Sequence, residues 1–568
     1  MPGFFITNTR CVPKLQNFKE NNCLKKEIRY KEWKISINTL DKYMDDKIFD
    51  ENEERIIVLD GVITNKKDLL LEFEENSWFD LINKLICSSD KWFERLRGVF
   101  AGAVYDKKKS KWTVFTDQCG AHLVLKYIKD GQVALGTQLN YFIDWMKLND
   151  IEKKLDRVWL NDFLYFGYMV DKHSVIENVM RLYPGTYLEY VDNIEKIDIY
   201  YRLEKKNIKD LTEKEAIELL DSTFSKAIKR IIDKDREYGY QTIVDISGGL
   251  DSRMNLCTAL KFSKDLLTIT YAETGSDDYK VSQKIRVKAG VENIFYSLDS
   301  GRCLKDIDEL TFMNQGMNYY YGITGGKRVL QLIDSQEVGI EIWGLLGDIS
   351  EGAMIQDGEE KEIWDYPRFR TISKYPYVDA PDREKFVDRE TQWFYVRGML
   401  AGMNTGFIRQ NFVEPITPYG DVEFMNLCFS LPYAMRTKRH IYRRWMIEKY
   451  PEFANIELSA TGFPLTKTEI GDYFSIPRRA YRKIFKIFNI HKPEWSMNPL
   501  YYWYDNNQII KDYINKYFKD NIHILKEFPD VEKECNKLFF NNEKNTVEAM
   551  NCRIIALTII SVFKNYIK

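Results

Sequence analysis

Through about residue 200, short apolar or aromatic runs alternate with polar turns, a pattern typical of β-structure. The clearest runs are rich in β-branched and aromatic residues and are bounded by Asp, Gly, Asn or Lys; they are Arg55–Leu59, Gly98–Tyr105, Trp112–Thr116 and Thr186–Val191. Between the first two, Leu69–Ser88 carries apolar residues at helical spacing. This part of the chain is therefore predicted to form a sheet with helices packed on it.

The pattern changes near Asp210. Thr212 and Glu215 form a capping-box pair, which predicts the start of a helix that runs to about Ile232. Strands and helices then alternate, in the predicted segments Thr242–Ile246, Asp251–Leu260, Leu266–Tyr271, Asp278–Ala289, Ile294–Leu298 and Gly339–Trp343. Such alternation indicates a parallel sheet with right-handed crossovers. Beyond about residue 385 the pattern is mainly helical, and an amphipathic helix is predicted over Cys552–Tyr566.

A chain of 568 residues is long enough for several domains, and the change of pattern divides it into residues 1–205 and 206–568. The 83 Lys and Arg nearly balance the 85 Asp and Glu, so bulk attraction to nucleic acid or to an anionic membrane is not expected. There is no long apolar run and residues 1–8 do not resemble a secretion signal, so a cytoplasmic protein is expected. Nine cysteines without a Cys-x-x-Cys pair, with only five histidines, favour neither a disulfide framework nor structural zinc.

The strongest chemical signal is Ser247-Gly248-Gly249-Leu250-Asp251-Ser252, which follows an apolar strand and opens a helix. Consecutive glycines let the backbone approach an anion, the first amides of the helix face it, and the serine hydroxyls add donors. The kinase-type phosphate loop is absent, and Asp251 would repel phosphate unless a divalent cation lay between them. The string therefore predicts a phosphate site that works with Mg²⁺.

This string resembles the pyrophosphatase-type loop of ATP-dependent amide-forming enzymes related to asparagine synthetase. Thr270–Asp278 resembles the family's turn beneath the adenine, Trp343–Asp348 its glycine-rich loop with a second acidic metal ligand, and Glu414–Asp421 its E-x-R-x-P-F-x-D segment. In the first 205 residues, three segments are similar to glutamine-hydrolysing domains: Leu59–Asn65, Gly98–Asp106 and Thr116–Gly120. The resemblance implies an α/β protein. An Ntn-hydrolase-like αββα sandwich would be followed by a PP-loop parallel sheet of the adenine nucleotide alpha hydrolase-like type, with a helical C-terminal part.

The N-terminal segment departs from glutamine-hydrolysing relatives where the chemistry matters. Those domains use an N-terminal cysteine whose own amine acts as base, but Pro2 stands at that position. Asp60 replaces the oxyanion-stabilising Asn, and its charge would oppose the developing negative charge. Cys11 lies inside the chain and has no free α-amine. We therefore expect a domain that does not hydrolyse glutamine, as in β-lactam synthetases and lasso-peptide macrolactam synthetases.

The resemblance also implies the reaction. A substrate carboxylate would attack the α-phosphorus of ATP, pyrophosphate would leave, and an amine would then take the acyl group from the adenylate. The predicted phosphate cradle is Ser247, Gly248, Gly249 and Ser252, with Tyr271 and Gly344 beside the nucleotide. Asp251 and Asp348 are the predicted magnesium ligands, and Arg439 stands where relatives carry a pyrophosphate-binding lysine.

Two positions depart from the family in this second half. Ala460 lies three residues before Phe463, where relatives carry a lysine that stabilises the transition states; Lys467 is the predicted substitute. Leu345 lies where relatives carry a Tyr or Glu that handles the nucleophile. Glu351 is therefore the predicted catalytic base, and Glu390 is a second candidate.

Two classes of function remain open. The first is an AMP-forming carbon–nitrogen ligase that takes a carboxylate and an amine, a precursor peptide among the candidate partners. A peptide macrolactam or another natural-product amide is favoured, while β-lactam-type closure and amidation of a sugar acid stay open. The second is a degenerate scaffold or nucleotide-binding subunit of a biosynthetic complex. This hypothesis rests on the departures from the family pattern at Ala460 and Leu345. The sequence leaves the oligomeric state open, and it does not decide whether Tyr319–Tyr321 and Tyr501–Trp503 line a substrate groove or pack in a core.

Overall fold

The computed structural model describes residues 2–14, 23–206, 208, 210–322, 326–350, 352, 386, 388–467, 492–540 and 547–568. Its strands up to residue 199 are β1 (Gly3–Thr7), β2 (Cys23–Tyr30), β3 (Trp33–Leu40), β4 (Ile48–Glu51), β5 (Arg55–Ile63), β6 (Gly98–Asp106), β7 (Lys111–Thr116), β8 (Leu125–Lys129), β9 (Gln132–Gly136), β10 (Met180–Arg181), β11 (Thr186–Val191) and β12 (Ile194–Ile199). The helices of this part are α1 (Lys66–Glu72), α2 (Trp78–Ser88), α3 (Leu139–Leu148) and α4 (Arg157–Phe166).

These strands form two six-stranded antiparallel sheets, in the orders β10-β8-β9-β1-β3-β2 and β12-β11-β7-β6-β5-β4. Side chains alternate between the two faces along each strand. Ile56 and Val58 therefore pack between the sheets, while Ile57 and Leu59 pack against α1 and α2. On the other sheet, Phe5 faces outward and packs with residues of α3 and α4. The layers are helix, sheet, sheet and helix, so the expected αββα sandwich is confirmed.

A parallel sheet follows α5 (Glu213–Tyr238). Its strands are β13 (Gln241–Asp245), β14 (Leu266–Ala272), β15 (Glu292–Ser297), β16 (Val338–Ile342) and β17 (Glu414–Ile416), in the order β15-β14-β13-β16-β17. The chain runs outward from β13 to β15 and then returns to the other side of β13 as β16. In open parallel sheets, ligands bind beyond the carboxyl ends of the strands at such a switch point.

Helices cover this sheet and make up most of the remaining described chain. They are α6 (Asp251–Ala259), α7 (Asp277–Ala289), α8 (Ile307–Asn314), α9 (Gly326–Leu330), α10 (Gly347–Ser350), α11 (Arg389–Trp393), α12 (Val422–Ser430), α13 (Tyr433–Arg436), α14 (His440–Lys449), α15 (Pro451–Ala454), α16 (Leu500–Asn506), α17 (Gln508–Asn521), α18 (Pro529–Phe540) and α19 (Val547–Val562). A wide π-helix, Phe394–Gly402, continues directly from α11. The predicted alternation is confirmed, and the capping box of Thr212 and Glu215 begins α5.

The helical spacing in Leu69–Ser88 corresponds to two helices, as predicted. They are separate because Glu74 has a positive φ of 53° beyond the end of α1 and Ser77 caps α2 by accepting a hydrogen bond from Asp80 N. One expectation needs correction. The last helix is not amphipathic: nearly every side chain from Ala549 to Val562 is buried. Helix α19 contacts α8, α16, α17 and α18, so it is enclosed on more than one side and is apolar all round.

Two hydroxyl groups of α19 have hydrogen-bond partners in this region. Thr558 Oγ1 accepts a hydrogen bond from Tyr320 N at 3.2 Å, and Ser561 Oγ donates to Asp308 Oδ1 at 2.8 Å. Tyr320 itself is fully buried, and its hydroxyl donates to Leu304 O at 2.8 Å. Burying these groups with partners avoids the cost of an unsatisfied polar atom.

Buried polar contacts join the sandwich to the parallel-sheet region. Lys234 Nζ of α5 donates to Asp46 Oδ1 at 2.9 Å, and Tyr43 OH donates to Asp235 Oδ1 at 2.5 Å. Burial raises the pKa of Asp235 to about 7. The boundary between residues 1–205 and 206–568, which stays a prediction, is thus spanned by ion pairs and hydrogen bonds withdrawn from water.

Among the described helices, none is both long and apolar enough to cross a bilayer.

Candidate functional site

Two loops meet at the switch point of the parallel sheet. One, Ser247–Leu250, follows β13; the other, Trp343–Leu346, follows β16, and the two strands pair with Val244 opposite Ile342. A side chain at Gly347 would place its Cβ 2.7 Å from the carboxyl carbon of Asp251. The absence of a side chain at Gly347 lets the second loop lie directly against the start of α6.

The loop after β13 is folded around its own hydroxyl groups. Ser252 Oγ accepts a hydrogen bond from Ser247 N at 3.1 Å and lies 3.0 Å from Ser247 Oγ, which in turn accepts from Gly249 N at 3.2 Å. The structure thus brings Ser247, Gly248, Gly249, Asp251 and Ser252 together at the N-terminus of α6. Hydroxyls and backbone amides gathered in this way are suited to an anion.

Ser459 lies against this loop, although the sequence did not single it out. A Cβ on Gly248 would lie 2.4 Å from Ser459 Cβ, and Ser459 N donates to Gly248 O at 3.2 Å. Ser459 Oγ donates to Asp278 Oδ1 at 2.9 Å, which connects the loop to α7. Only glycine at position 248 permits this approach.

Arg253 holds the segment that carries Ser459. Its guanidinium is fully buried and donates to three backbone carbonyls, at 3.0, 2.7 and 2.8 Å; these belong to Phe453, Ile456 and Glu457. A buried cation is stable here because each of these hydrogen bonds replaces one to water. Arg253 therefore positions the segment before Ser459.

Asp251 and Asp348 face the same guanidinium. Arg439 NH1 lies 3.8 Å from Asp251 Oδ1, and Arg439 NH2 forms an ion pair with Asp348 Oδ1. The two carboxylates are thus close enough to share one cationic group. Within the described ranges, no group of three or more His, Cys, Asp and Glu converges to hold a metal ion. A cation bound to these two carboxylates would take its other ligands from phosphate oxygens and water, the usual arrangement for Mg²⁺.

The backbone at Arg439 is unusual. Lys438 and Arg439 have positive φ angles of 55° and 60°, immediately before α14. A left-handed conformation costs a residue with a side chain about 1–2 kcal/mol. The contacts of Arg439 with the two aspartates compensate for part of this cost and fix the guanidinium beside the loops.

Tyr271 lies at the carboxyl end of β14, in a buried ionic cluster. Its hydroxyl accepts a hydrogen bond from Arg409 NH2 at 2.6 Å. Arg409 also pairs with Glu341, and its NH2 lies 3.3 Å from Asp245 Oδ2. Burial raises the pKa of Asp245 to about 6, although the charge of Arg409 acts in the opposite direction. The cluster fixes the ends of β13, β14 and β16 below the two loops.

A cavity of about 430 Å³ opens beside the second loop. Its lining includes Gly344 and Leu345 from this loop and Asp348 from α10. Trp393 of α11 and Arg397 of the π-helix that follows it also line the cavity. Tyr319 also lines it, whereas Tyr320 and Trp503 are buried packing residues, so only part of the aromatic clusters faces this space. Its volume lies in the range of small-molecule sites.

The predicted catalytic side chains are less well supported by the geometry. Lys467 is exposed in a short 3₁₀ turn, Leu465–Lys467, and within the described chain no ion pair joins it to Asp251 or Asp348. Glu351 lies outside the described residues. Glu390 pairs with Arg436 and lies 2.9 Å from Lys205 Nζ, so its charge is already neutralised.

The sandwich has a buried ion pair at Asp60, the position that the sequence resemblance equates with an oxyanion-stabilising Asn. Asp60 Oδ1 accepts a hydrogen bond from Thr39 Oγ1 at 2.6 Å and lies 3.6 Å from Lys47 Nζ. Lys47 Nζ also donates to Thr39 Oγ1 at 2.7 Å and to Leu40 O at 2.9 Å. The side chains of Lys47 and Asp60 are 1% and 4% exposed, so this position is filled by a satisfied, buried salt bridge. Nothing in the sequence around Lys47 indicated this role.

In a comparison with known families, residues 19–201 match the Glutamine amidotransferase domain. The match covers about a third of the chain and coincides with the αββα sandwich. It supports an amidotransferase-type domain at this coarse level and does not reach the Ser247 loop. No curated protein matches.

Among solved structures, the allosteric regulatory enzyme of purine biosynthesis is 9% identical, with 52% of this chain and 74% of that chain covered and a TM-score of 0.23. Glutamine phosphoribosylpyrophosphate amidotransferase from B. subtilis, complexed with ADP and GMP, is 10% identical, with 47% and 67% covered and a TM-score of 0.22. TM-scores of this size do not establish a shared fold, and they say nothing about the site.

Proposed function

We propose that the protein is an AMP-forming amide synthetase, which activates a substrate carboxylate with ATP and joins it to an amine without hydrolysing glutamine. One observation carries the proposal. The hydroxyl-rich loop Ser247–Ser252, the two carboxylates of Asp251 and Asp348 and the guanidinium of Arg439 meet at the switch point of a parallel sheet. The favoured products are peptide macrolactams or other natural-product amides.

Each group has a distinct part in this proposal. The amides and hydroxyls of Ser247, Gly249 and Ser252 would bind the departing pyrophosphate. Arg439 would neutralise charge on the same leaving group and so favour its departure. Tyr271 and Gly344 would flank the nucleotide. The cavity beside Asp348 would receive the carboxylate, so the reacting oxygen and the nucleotide would be held at one edge of the sheet.

The residues present fit ATP and Mg²⁺. Carboxylate oxygens are the protein ligands that Mg²⁺ prefers, and Asp251 and Asp348 supply two of them beside a phosphate-type loop. When bound, the ion would supply charge neutralisation and orientation of the phosphates. In the described structure the guanidinium of Arg439 supplies the positive charge that these two carboxylates need.

The amine would come from a substrate rather than from glutamine. In the sandwich, the buried pair of Lys47 and Asp60 fills the position at which an oxyanion would have to be stabilised, and Asp60 accepts rather than donates hydrogen bonds. The family match of residues 19–201 therefore indicates the ancestry of the sandwich, while its chemistry is expected to be absent.

The test is pyrophosphate release from ATP and Mg²⁺ in the presence of candidate carboxylates, with separate measurement of glutamate released from glutamine. The expected result is carboxylate-dependent pyrophosphate and AMP in the wild type, loss of both in Asp251→Ala, and no glutamate from either. Nucleotide binding without pyrophosphate release across a broad carboxylate panel would favour the scaffold function. Glutamate release by the wild type would contradict the assignment of the sandwich.

A further inference from the structure

The cavity beside Asp348 is built by both halves of the chain. Tyr168, in the segment after α4, belongs to the half that holds the sandwich, yet it lines the cavity together with Leu345 and Trp393. Tyr168 also packs in a cluster with Val396 and Ala401 of the π-helix. The sandwich half is therefore part of the wall of the second half's candidate site.

Close packing fixes Tyr168 in this position. Gly167 ends α4 with a positive φ of 81°, and a Cβ there would lie 2.5 Å from the ring of Tyr319, another lining residue. Met169 N donates to Met317 O at 3.1 Å on the other side of Tyr168. Backbone contacts on both sides thus seat this segment against residues 317–319, so Tyr168 forms a fixed wall of the cavity.

The π-helix forms the opposite part of the lining. Its residues Arg397, Gly398, Ala401 and Gly402 all line the cavity. In a π-helix the i→i+5 pattern widens the turn, so residues four and five apart share a face. The three small residues leave open space, and Arg397 is the long side chain of this face. A π-helix is often found where a helix serves a ligand.

Arg397 is the candidate anion contact of the cavity. Its side chain is exposed, and its guanidinium carbon lies 4.7 Å from the ring centre of Tyr168. Across the described ranges, no Asp or Glu forms an ion pair with Arg397, whereas Asp348 is paired with Arg439. A guanidinium stacked on an aromatic ring keeps its hydrogen-bond donors free for a carboxylate.

We propose that this cavity binds an aromatic or otherwise bulky apolar carboxylate, with its ring against Tyr168 and a carboxylate paired with Arg397. The half of the chain that holds the sandwich thereby determines substrate choice instead of supplying ammonia. The site's part in catalysis rests on the proposed function, but binding of the carboxylate does not require turnover. Aromatic rings and apolar walls favour an apolar body. The guanidinium of Arg397, which pairs with no Asp or Glu among the described residues, favours an acid.

Binding and turnover are measured separately with a matched pair of probes. Hippurate and N-acetylglycine share a carboxylate and an amide and differ in the aromatic ring. Each is titrated into the full chain by calorimetry, without nucleotide and again with Mg²⁺ and α,β-methylene-ATP. Hippurate is expected to bind about tenfold or more tightly than N-acetylglycine, since its aromatic ring can fill the apolar part of the pocket.

Substitutions at Tyr168 and Arg397 test whether these residues form the aromatic wall and the cationic contact of the cavity. Tyr168→Ala should weaken hippurate binding about tenfold, whereas Tyr168→Phe, which keeps the ring, should bind like the wild type. Arg397→Gln should weaken both probes about tenfold or more. The matched control is Arg157→Gln, because Arg157 is an exposed arginine that pairs with Asp530 and does not line the cavity. Binding of α,β-methylene-ATP should be unchanged in all four variants.

The outcomes separate the two proposals. Hippurate that binds through Tyr168 and Arg397 but releases no pyrophosphate would support the cavity and contradict the synthetase. Pyrophosphate release with small polar carboxylates, unaffected by Tyr168→Ala, would do the reverse. Equal binding of both probes, or no binding of hippurate at millimolar concentration under either condition, would overturn the proposed ligand class.

Discussion

The molecule contains two positions where a resemblance implies chemistry, and they are built in opposite ways. In the sandwich, Lys47 and Asp60 are almost fully buried and satisfy each other, and Thr39 bridges them. At the switch point, Asp348 is 60% exposed and a cavity of about 430 Å³ lies beside it. Charged groups that neutralise each other in the interior support structure, whereas charged groups that border open space are available to a ligand. Under the proposed function, the chemistry therefore belongs to the second half of the chain, and the pair in the first half has a supporting part.

The largest expected effect is on the open site. Asp251→Ala should reduce carboxylate-dependent pyrophosphate release about a thousandfold or more, since it removes a metal ligand that acts in the transition state. Asp60→Asn changes the buried ion pair in the sandwich. It should keep the rate of pyrophosphate release within about twofold of the wild-type rate, when each protein is assayed well below its melting temperature. A comparable loss of rate in Asp60→Asn would remove the contrast between the two positions.

The next effect is on stability at the filled position. Lys47→Met should lower the free energy of unfolding by about 3 kcal/mol, because it leaves the buried carboxylate of Asp60 without a charged partner. The double variant Lys47→Met, Asp60→Asn should recover part of this loss, since neither charge then remains buried. Chemical denaturation followed by circular dichroism measures both. Equal unfolding curves for the wild type and Lys47→Met would show that the pair does not support the sandwich.

A smaller effect is expected from Arg439. Arg439→Gln should weaken product inhibition by pyrophosphate about 10- to 100-fold, as expected for loss of hydrogen bonds to a charged group. It should also raise the affinity for Mg²⁺ without nucleotide, because Asp251 and Asp348 lose the guanidinium that they share. Arg444→Gln, in the helix α14 that follows Arg439 and beside Glu213, is the matched control. Unchanged affinities for both ions would exclude Arg439 from the site.

The last expected effect is at the boundary between the two halves and depends on pH. Burial raises the pKa of Asp235 from 3.8 to about 7, so the folded state holds this proton more tightly than the unfolded state. The resulting stabilisation is complete below about pH 4 and is lost as the pH rises to about 7. Relative to Asp235→Asn, the wild type should therefore lose thermal stability across this range. If the melting temperatures of the wild type and of Asp235→Asn change in parallel with pH, the raised pKa of Asp235 is contradicted.

Local signals were enough to predict most elements that surround the open site. The strand before Ser247, the helix from Asp251 and the capping box at Thr212 follow from short stretches of sequence, and the structure confirms them. The loops also meet as expected, because adjacent parallel strands end at one edge of the sheet. Strand β1 was not predicted, since its pairing partners β3 and β9 are distant in sequence. The hairpin of β2 and β3 was also missed, because most side chains of β2 are exposed and polar and give no alternating apolar pattern.

Contacts between segments that are distant along the chain could not be predicted from the sequence. Ser459 reaches Gly248 only because Arg253 holds the intervening backbone, and Tyr168 reaches the cavity only through the packing of Gly167 on Tyr319. Lys47 gave no sign that it would pair with Asp60, as lysines in a strand-rich region are usually exposed. The prediction that the last helix is amphipathic was wrong, because the spacing of apolar residues does not reveal that several elements surround α19.

The enclosure of α19 bears on how the chain is made. One continuous apolar cluster includes Phe5, Tyr320 and Ile555, so residues translated at very different times meet in a single interior. During synthesis, α8 and α17 must wait with uncovered apolar surfaces until residues 547–562 leave the ribosome. Chaperone dependence and sensitivity to premature release are the expected cellular consequences of a core that is completed by a late helix.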